Sequence, residues 1–379
     1  MNIDELRNEI NAVDEQLVSL FEKRMKIAGE IATYKKENQL PVYDRGRERD
    51  ILNRVTQGVS PEFEGYLRSM YITLFDLSRS YQKKLLSDKS KVAEKIEKAI
   101  ENSPKQPPER ATVACQGVEG AYSSLACEKL FTYPTVMYFK SFENVFSAVN
   151  SGLCKYGILP IENSNAGSVN EVYDLMNKYK FYITRSLKLW VNHSLLVNSG
   201  TQLSDIKEIF SHRQAIEQCS DFLSSLNGVK ITVCENTAAA AKRVKDSGRT
   251  DVAAIGSREC VEVYSLEEIK SGIQNTDNNY TRFICISKDI EIYAGANKTS
   301  IVLVLPHKPG SLYNAIARFA ALGLNLTKLE SRPIEGSDFE FMFYFDIDVS
   351  VYSPQLRTVI SQLENDCDKF IYLGSYSEA

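Results

Sequence analysis

The stretch "LVSLFEKRMKIAGEI", Leu17–Ile31, holds an arginine where its own repeat calls for an aliphatic side chain. Ile3, Leu6, Ile10, Val13, Leu17 and Leu20 recur at spacings of three and four, and Ile27, Ile31 and Tyr34 carry the stripe past Arg24. A buried guanidinium needs a partner. Arg24 therefore either snorkels, with its stem on the seam and its head in water, or faces an anion pocket in a helical bundle. Arg7 and Lys35 flank the same stripe, but a helix rising about 1.5 Å per residue separates them by about 42 Å. One straight helix cannot bring both to a small ligand; an antiparallel pair of copies can set Arg7 of one chain near Arg24 and Lys35 of the other. Asp44, Arg47 and Glu48 in "DRGRERD" mix both signs at a helix start, and Ser78 and Gln82 lie four apart on one helix face.

Four later stretches carry polar groups of another kind. "QGVEGAYS" sits between a strand pattern and a helix pattern, so it is either an anion-binding row of amides or a tight turn. "LPIENSNAGSV" packs Glu162, Asn163, Ser164 and Asn165 behind an apolar run, as a site or as a capped turn. In "SHRQAIEQC", Ser211 is placed to cap a helix. "NNYTRFICI" sets Thr281 and Arg282 at the start of a strand, where a surface arginine is the ordinary expectation.

These groups need scaffolds of three kinds. Residues 1–88 read as three helices, broken at "ENQLPVYDRG" and before Pro61, which suits a first-turn position. Residues 89–110 are polar, lysine-rich and end in prolines, a linker with a helical middle. Over 111–290 short apolar runs ("ATVACQ", "YGILPI", "HSLLVN", "DVAAIG", "RFICIS") alternate with helical stretches, the grammar of an α/β domain. From 298 to 379 the order is βαββαβ, that of a ferredoxin-like split βαβ domain. The chain is thus expected to be multi-domain.

Composition narrows the partners. The net charge is -4 with no separate basic block, which argues against nucleic acid. No apolar run reaches the length of a membrane span, and "MNIDELRNEI" lacks the core of a signal peptide. The eight cysteines form no CxxC pair, and the three histidines lie far apart. A cytoplasmic protein without metal or organic cofactor is the expectation.

Residues 1–86, through "LRNEINAVDEQLVSLFEKRMKIAGEIATYKK" and "RERDIL", resemble the all-helical chorismate mutases. That resemblance implies Arg7 (from a partner chain), Arg24 and Arg47 on the two carboxylates of chorismate, and Lys35 and Gln82 at the ether oxygen. Asp44 and Glu48 would orient the hydroxyl side, with Ser78 lining the pocket. A Claisen rearrangement fits such residues, since it needs a dianion held in its reactive conformer rather than a nucleophile. "ENS" with Gly167 and Val169, "SH" with Gln214 and Ala215, and "YTRF" resemble the prephenate dehydratases. This implies two lobes around a cleft, Thr281 as proton donor, and Asn163, Ser164, Ser211 and Gln214 orienting prephenate, with Phe283 carried in the same signature. A threonine is by itself a poor acid, so polarisation by Arg282 or by a bound water is the expectation. Val118, Ala121 and Arg213 depart from the family's usual residues, and Arg213 would add charge near the cleft.

"KPGSLYNAIARFAALGLNLTKLESRPI" resembles ACT regulatory domains, which places an amino-acid effector at Gly310, Ser311, Leu312, Tyr313, Glu330, Ser331 and Arg332. Together the resemblances imply a bifunctional enzyme of phenylalanine biosynthesis, inhibited by L-phenylalanine and assembled as a homodimer or homotetramer. A dehydratase whose helices only dimerise, and an amino-acid-sensing binding protein, are the alternatives; turnover of chorismate separates them.

Overall fold

The computed structural model describes residues 2–86, 90–334 and 340–379. The expected boundary at 88/89 and the start of the strand expected from Asp338 lie outside the described residues. Helix α1 (Ile3–Glu37) starts in a capping box, the Asn2 amide donating to Glu5 Oε2 at 2.9 Å. It stops at Asn38, and Gln39 turns with φ 55°. Helix α2 (Arg45–Thr56) is capped by Asp44, whose carboxylate accepts from the Arg47 amide at 2.9 Å. Helix α3 (Pro61–Leu86) begins on the predicted proline, and α4 (Lys91–Asn102) is the helical middle of the expected linker.

Two units form by contact. The first comprises Met1–Glu97, Val302–Phe345 and Tyr352–Ile371; the second comprises Lys98–Ile301, Asp346–Val351 and Tyr372–Ala379. In the first, α1 packs on α3 through Ala28, Ala32 and Phe75, with Gly29 admitting Tyr81 and Leu85 at close range. Only the C-terminal half of α1 is covered. Ile10, Val13, Leu17 and Leu20 are 51–63% exposed, so the apolar stripe runs on without a partner among the described residues.

The second unit has two lobes. Its chain runs β1 (Arg110–Gln116), α5 (Tyr122–Leu130), β2 (Tyr133–Phe139), α6 (Phe142–Asn150), β3 (Tyr156–Asn163), β4 (Gly167–Ser168), α7 (Asn170–Tyr179) and β5 (Tyr182–Trp190). It crosses into β6 (Ser194–Val197), β7 (Glu208–His212), α8 (Arg213–Gln218), α9 (Ser220–Ser224), β8 (Lys230–Cys234), α10 (Thr237–Ser247), β9 (Val252–Gly256), α11 (Cys260–Tyr264) and β10 (Glu267–Lys270). It returns through β11 (Tyr280–Ser287). The first lobe contributes the run β5-β11-β3-β1-β2, with β4 on β3, to one sheet, and the second lobe's sheet is ordered β10-β6-β9-β7-β8. Each buries its own apolar cluster, around Ile158 and Phe283 in the first and around Leu196 and Ala254 in the second.

The last segment follows the expected order: β12 (Lys298–Val304), α12 (Ser311–Ala321), β13 (Asn325–Pro333), β14 (Phe341–Asp348), α13 (Pro354–Asp366) and β15 (Lys369–Glu378), with strands ordered β13-β14-β12-β15. It does not close as a body of its own over 298–379. Helices α12 and α13 belong to the first unit, where Lys83 of α3 reaches Asp366 at 2.6 Å. The end of β15 belongs to the second, where Ser377 and Glu378 pair with Arg185 and Ser186 of β5. Gly374 permits that approach, since a Cβ there would stand 2.2 Å from the Ile183 carbonyl.

Candidate active sites

In the first unit α1, α2 and α3 enclose a cavity of about 530 Å³. Arg24, Lys35, Asp44, Arg47, Glu48, Ser78 and Gln82 all line it, joined by Lys23 and Arg79. Arg24 does not snorkel: its Nη1 donates to the Leu74 carbonyl at 3.2 Å and to Ser78 Oγ, with its guanidinium 5.8 Å from the Phe75 ring centre. Burial lowers its pKa, opposed by Tyr71 and Glu48. Lys35 Nζ is held by the Val42 carbonyl at 2.6 Å. Gln82 is buried, and its Oε1 has no hydrogen-bond partner among the described residues. Arg7 is absent from this wall. It pairs with Asp4 at 3.1 Å near the helix start, about 25 Å along α1 from Arg24. Sequence reading passed over Arg79, which ion-pairs with both Glu48 and Asp76; the signal was its place beside Ser78, on the charged edge of α3.

In the second unit a cleft of about 540 Å³ gathers Gln116, Tyr122, Asn163, Val169, His193, His212, Gln214, Gln218, Asn236 and Thr281 among its lining. No lysine or arginine lines it among the described residues. Instead the N-termini of α5, α7 and α10 reach it, at Ala121–Ser123, Val169 and Asn236–Thr237. Helix N-termini offer free amides and the positive end of the dipole to an anion. Asn163 Oδ1 accepts from the amides of Asn165 and Ala166, at 3.1 and 2.9 Å, which fixes the orientation of its side-chain amide. Nδ2 then donates to Thr281 Oγ1 at 2.9 Å. The threonine's own proton is left to point elsewhere.

Five residues expected in or beside the cleft stand outside it. Arg282 follows Thr281 on β11, so strand alternation turns it to the opposite face. There it is buried on Asp346, on Tyr376 at 2.6 Å and on Glu378 at 3.1 Å. Burial works against its charge, but Tyr376, Asp346 and Glu378 outweigh it and hold the guanidinium protonated. Phe283 is 2% exposed and belongs to the first lobe's core. Ser211 caps no helix: it is fully buried in β7, its hydroxyl donating to the Ile255 carbonyl at 2.8 Å. Ser164 is exposed and ties its loop to β11, donating to Asn278 O at 3.0 Å and accepting from the Tyr280 amide at 2.9 Å. Arg213 points away to Glu217, 81% exposed.

Sequence reading also missed His193 and Gln218, because a lone histidine at a strand start carries no signal. His193 Nε2 lies 3.0 Å from Gln218 Oε1, which also accepts from Asn279 at 3.1 Å. Burial lowers the His193 pKa, with Gln218 opposing, so the ring is neutral.

In the C-terminal segment Gly310 takes φ 84° to cap α12, and Ser311 follows with a buried hydroxyl that has no partner among the described residues. Leu312 is half-buried and Tyr313 exposed. On β13, Glu330 and Arg332 share the half-buried face, while Ser331 lies on the exposed one.

Comparison with known proteins gives two family matches: chorismate mutase type II over residues 6–83 and prephenate dehydratase over residues 113–291. The bifunctional chorismate mutase/prephenate dehydratase of Escherichia coli K12 is 31% identical over 380 residues, covering 98% of this chain and 95% of that one. The arogenate dehydratase/prephenate dehydratase 2 of Arabidopsis thaliana is 36% identical over 279 residues, 70% of this chain and 73% of the relative. Among solved structures, a prephenate dehydratase from Arthrobacter aurescens in complex with L-Phe superposes with a TM-score of 0.64 at 26% identity, covering 70% of this chain and 90% of that one.

Proposed function

The chain belongs to the bifunctional chorismate mutase/prephenate dehydratases, and we propose that each unit houses one of the two reactions. Chorismate rearranges to prephenate in the cavity of α1–α3. Arg24 and Arg47 take carboxylates, with Arg7 supplied by a second copy. Lys35 and Gln82 donate to the ether oxygen as the C–O bond lengthens, and Asp44 and Glu48 orient the hydroxyl. A million-fold acceleration is about 8 kcal/mol, and one preorganised donor supplies about 3–4 kcal/mol. Two donors and a restrained conformer therefore suffice. The observation that carries this reading is the convergence of Arg24, Lys35, Arg47 and Gln82 on one cavity.

Prephenate then loses carbon dioxide and water in the cleft to give phenylpyruvate. The amides at the starts of α5, α7 and α10 hold its carboxylates without cationic side chains. Asn163 binds Thr281 Oγ1 and so aims the hydroxyl proton at the departing oxygen. A threonine is a weak acid, so its donation accompanies C–O cleavage as aromatisation proceeds. Gln214 orients the substrate. Arg282 has no part in polarising Thr281.

The element order of the last segment supports a ferredoxin-like ACT module, and the left-handed Gly310 ahead of Ser311 suits an amino-acid carboxylate. L-phenylalanine is the effector we assign to it. The uncovered apolar half of α1 supports a homodimer, which the ACT module extends to a tetramer if its pairing uses another axis. All eight cysteines are free thiols, six of them buried, as suits the cytoplasm.

One time course tests these roles: chorismate, prephenate and phenylpyruvate followed together, with and without L-phenylalanine. Conversion through to phenylpyruvate, slowed by the amino acid, is expected. Untouched chorismate beside consumed prephenate would reduce α1–α3 to a dimerisation device.

A further inference from the structure

Arg79 holds two carboxylates at once. Its Nη1 binds Glu48 on the wall of the α1–α3 cavity, and its Nη2 binds Asp76 one turn back on α3. Asp76 uses its other oxygen to accept from Asn314 Nδ2 in the first turn of α12. A second contact runs beside the first. Tyr43, next to the cap residue Asp44, has the Arg79 guanidinium 5.2 Å and the Lys308 ammonium 5.8 Å from its ring centre. Two residues of the C-terminal segment thus brace the wall on which chorismate is expected to sit.

We propose that Arg79 is a positioning residue for Glu48, and that Asn314, through Asp76, decides how Arg79 divides itself between its two carboxylates. The proposal rests on reading Glu48 as the group that orients the substrate's hydroxyl. While Asn314 satisfies Asp76, Arg79 is shared and Glu48 stays on its side of the cavity. If Asp76 draws Arg79 away, Glu48 is released toward Arg24 and Arg47 and competes there with the substrate's carboxylates. The cost falls on KM before kcat, because the displaced interaction is one the ground state also makes.

Asn314→Asp in the full chain is the test. It sets a second carboxylate against Asp76 and pulls Arg79 from Glu48. The KM for chorismate rises about tenfold near pH ~8, while turnover of supplied prephenate is unchanged. Two carboxyls so close share a proton as pH falls, and the protonated one again donates to Asp76. The penalty therefore shrinks toward pH ~5.5, which a packing defect would not do. Glu48, Tyr43, Lys83, Lys308, Arg318 and Asp366 also surround the pair or line the adjoining cavity, and they are common to both proteins. Asn314→Leu, which removes the donor and adds no charge, gives a smaller rise that does not vary with pH. A wild-type KM in Asn314→Asp at both pH values, or a penalty indifferent to pH, overturns the proposal.

Should that variant not fold, Asp76→Asn gives the opposite sign. Arg79 then goes wholly to Glu48 and KM falls; an unchanged KM overturns the relay. Glu48→Gln separates the two readings. If it leaves the mutase untouched, the role of Glu48 is wrong. If it abolishes the mutase while Asn314→Asp is silent, only the relay is.

Discussion

The two candidate sites, on the roles proposed for them, meet the same problem, a small dianion, with opposite materials. The helical cavity presents Lys23, Arg24, Lys35, Arg47 and Arg79 on its wall, whereas the cleft presents no cationic side chain among the described residues. The reason lies in the scaffolds. Helices running alongside a ligand turn only side chains toward it, because their amides are spent along the axis. A two-lobed α/β cleft receives helix N-termini end on, where amides are free. On the proposed roles, charge in the cavity preorganises a rearrangement whose charge develops at one oxygen. In the dehydration proposed for the cleft, a neutral Thr281 gives up a proton, and a nearby lysine or arginine would compete for the carboxylate that has to leave.

The largest effects should fall cleanly on one site or the other. Arg24→Met should lower mutase kcat/KM by about a thousandfold or more, and dehydration of supplied prephenate should stay at the wild-type rate. Thr281→Ala should do the reverse, with prephenate accumulating from chorismate. A double loss in either variant, read by the same three-component time course, would break the division between units.

Arg282 sharpens the contrast, for it is the cation nearest to Thr281 in sequence and serves the fold instead. Arg282→Met removes the buried guanidinium that Asp346 and Glu378 share, leaving Asp346 its bond from Ser300 and Glu378 its lysines Lys298 and Lys188, and should destabilise the second unit by about 3–5 kcal/mol, read by denaturant unfolding. The KM for prephenate, measured where the variant is still folded, should not move. A raised KM with unchanged stability would return Arg282 to the substrate.

Glu378, in the same cluster, predicts an acid limb. Burial opposes its ionisation, but Lys298, Lys188 and Arg282 outweigh it and hold the carboxyl down to about 2. A carboxylate with a native pKa below its unfolded value of about 4.3 stabilises the fold above that pH. The contribution is lost as pH falls from ~4.3 toward ~2, and amounts to about 3 kcal/mol. The stability gap between wild type and Glu378→Gln should therefore be full at neutral pH and close over that window. A gap that persists at low pH would mean that Glu378 acts by shape alone.

Most of the cavity was legible in sequence, because a helix repeat makes an intruder visible: Arg24 broke a stripe, and Ser78 and Gln82 shared a face. The cleft was legible only in part. Strand alternation alone separates Thr281 from Arg282, yet the pair reads as a unit when taken as a motif. Ser211 looks like a cap because a helix follows it, but that helix starts two residues on, after His212. The split of the last segment between units depends on Gly374 and on a pairing of Ser377 with Arg185, contacts too distant in sequence for periodicity to reveal.

The smallest expected effect tests the cleft's neutrality most directly. Arg213 is the basic residue adjoining the lining residues His212 and Gln214, and its head points outward to Glu217. It occupies the first position of α8, where a backbone N–H has no helical partner and proline is at home. His212 before it is extended, φ -73° and ψ 146°, as a residue preceding proline should be. Arg213→Pro should therefore be tolerated and add about 0.4–1 kcal/mol of stability by narrowing the unfolded ensemble. Dehydratase kcat/KM should hold within about twofold, since an exposed charge lends little across solvent. A drop of about tenfold in a well-folded variant would mean that the cleft borrows its cation from the rim, and that the contrast between the two sites is one of distance rather than of kind.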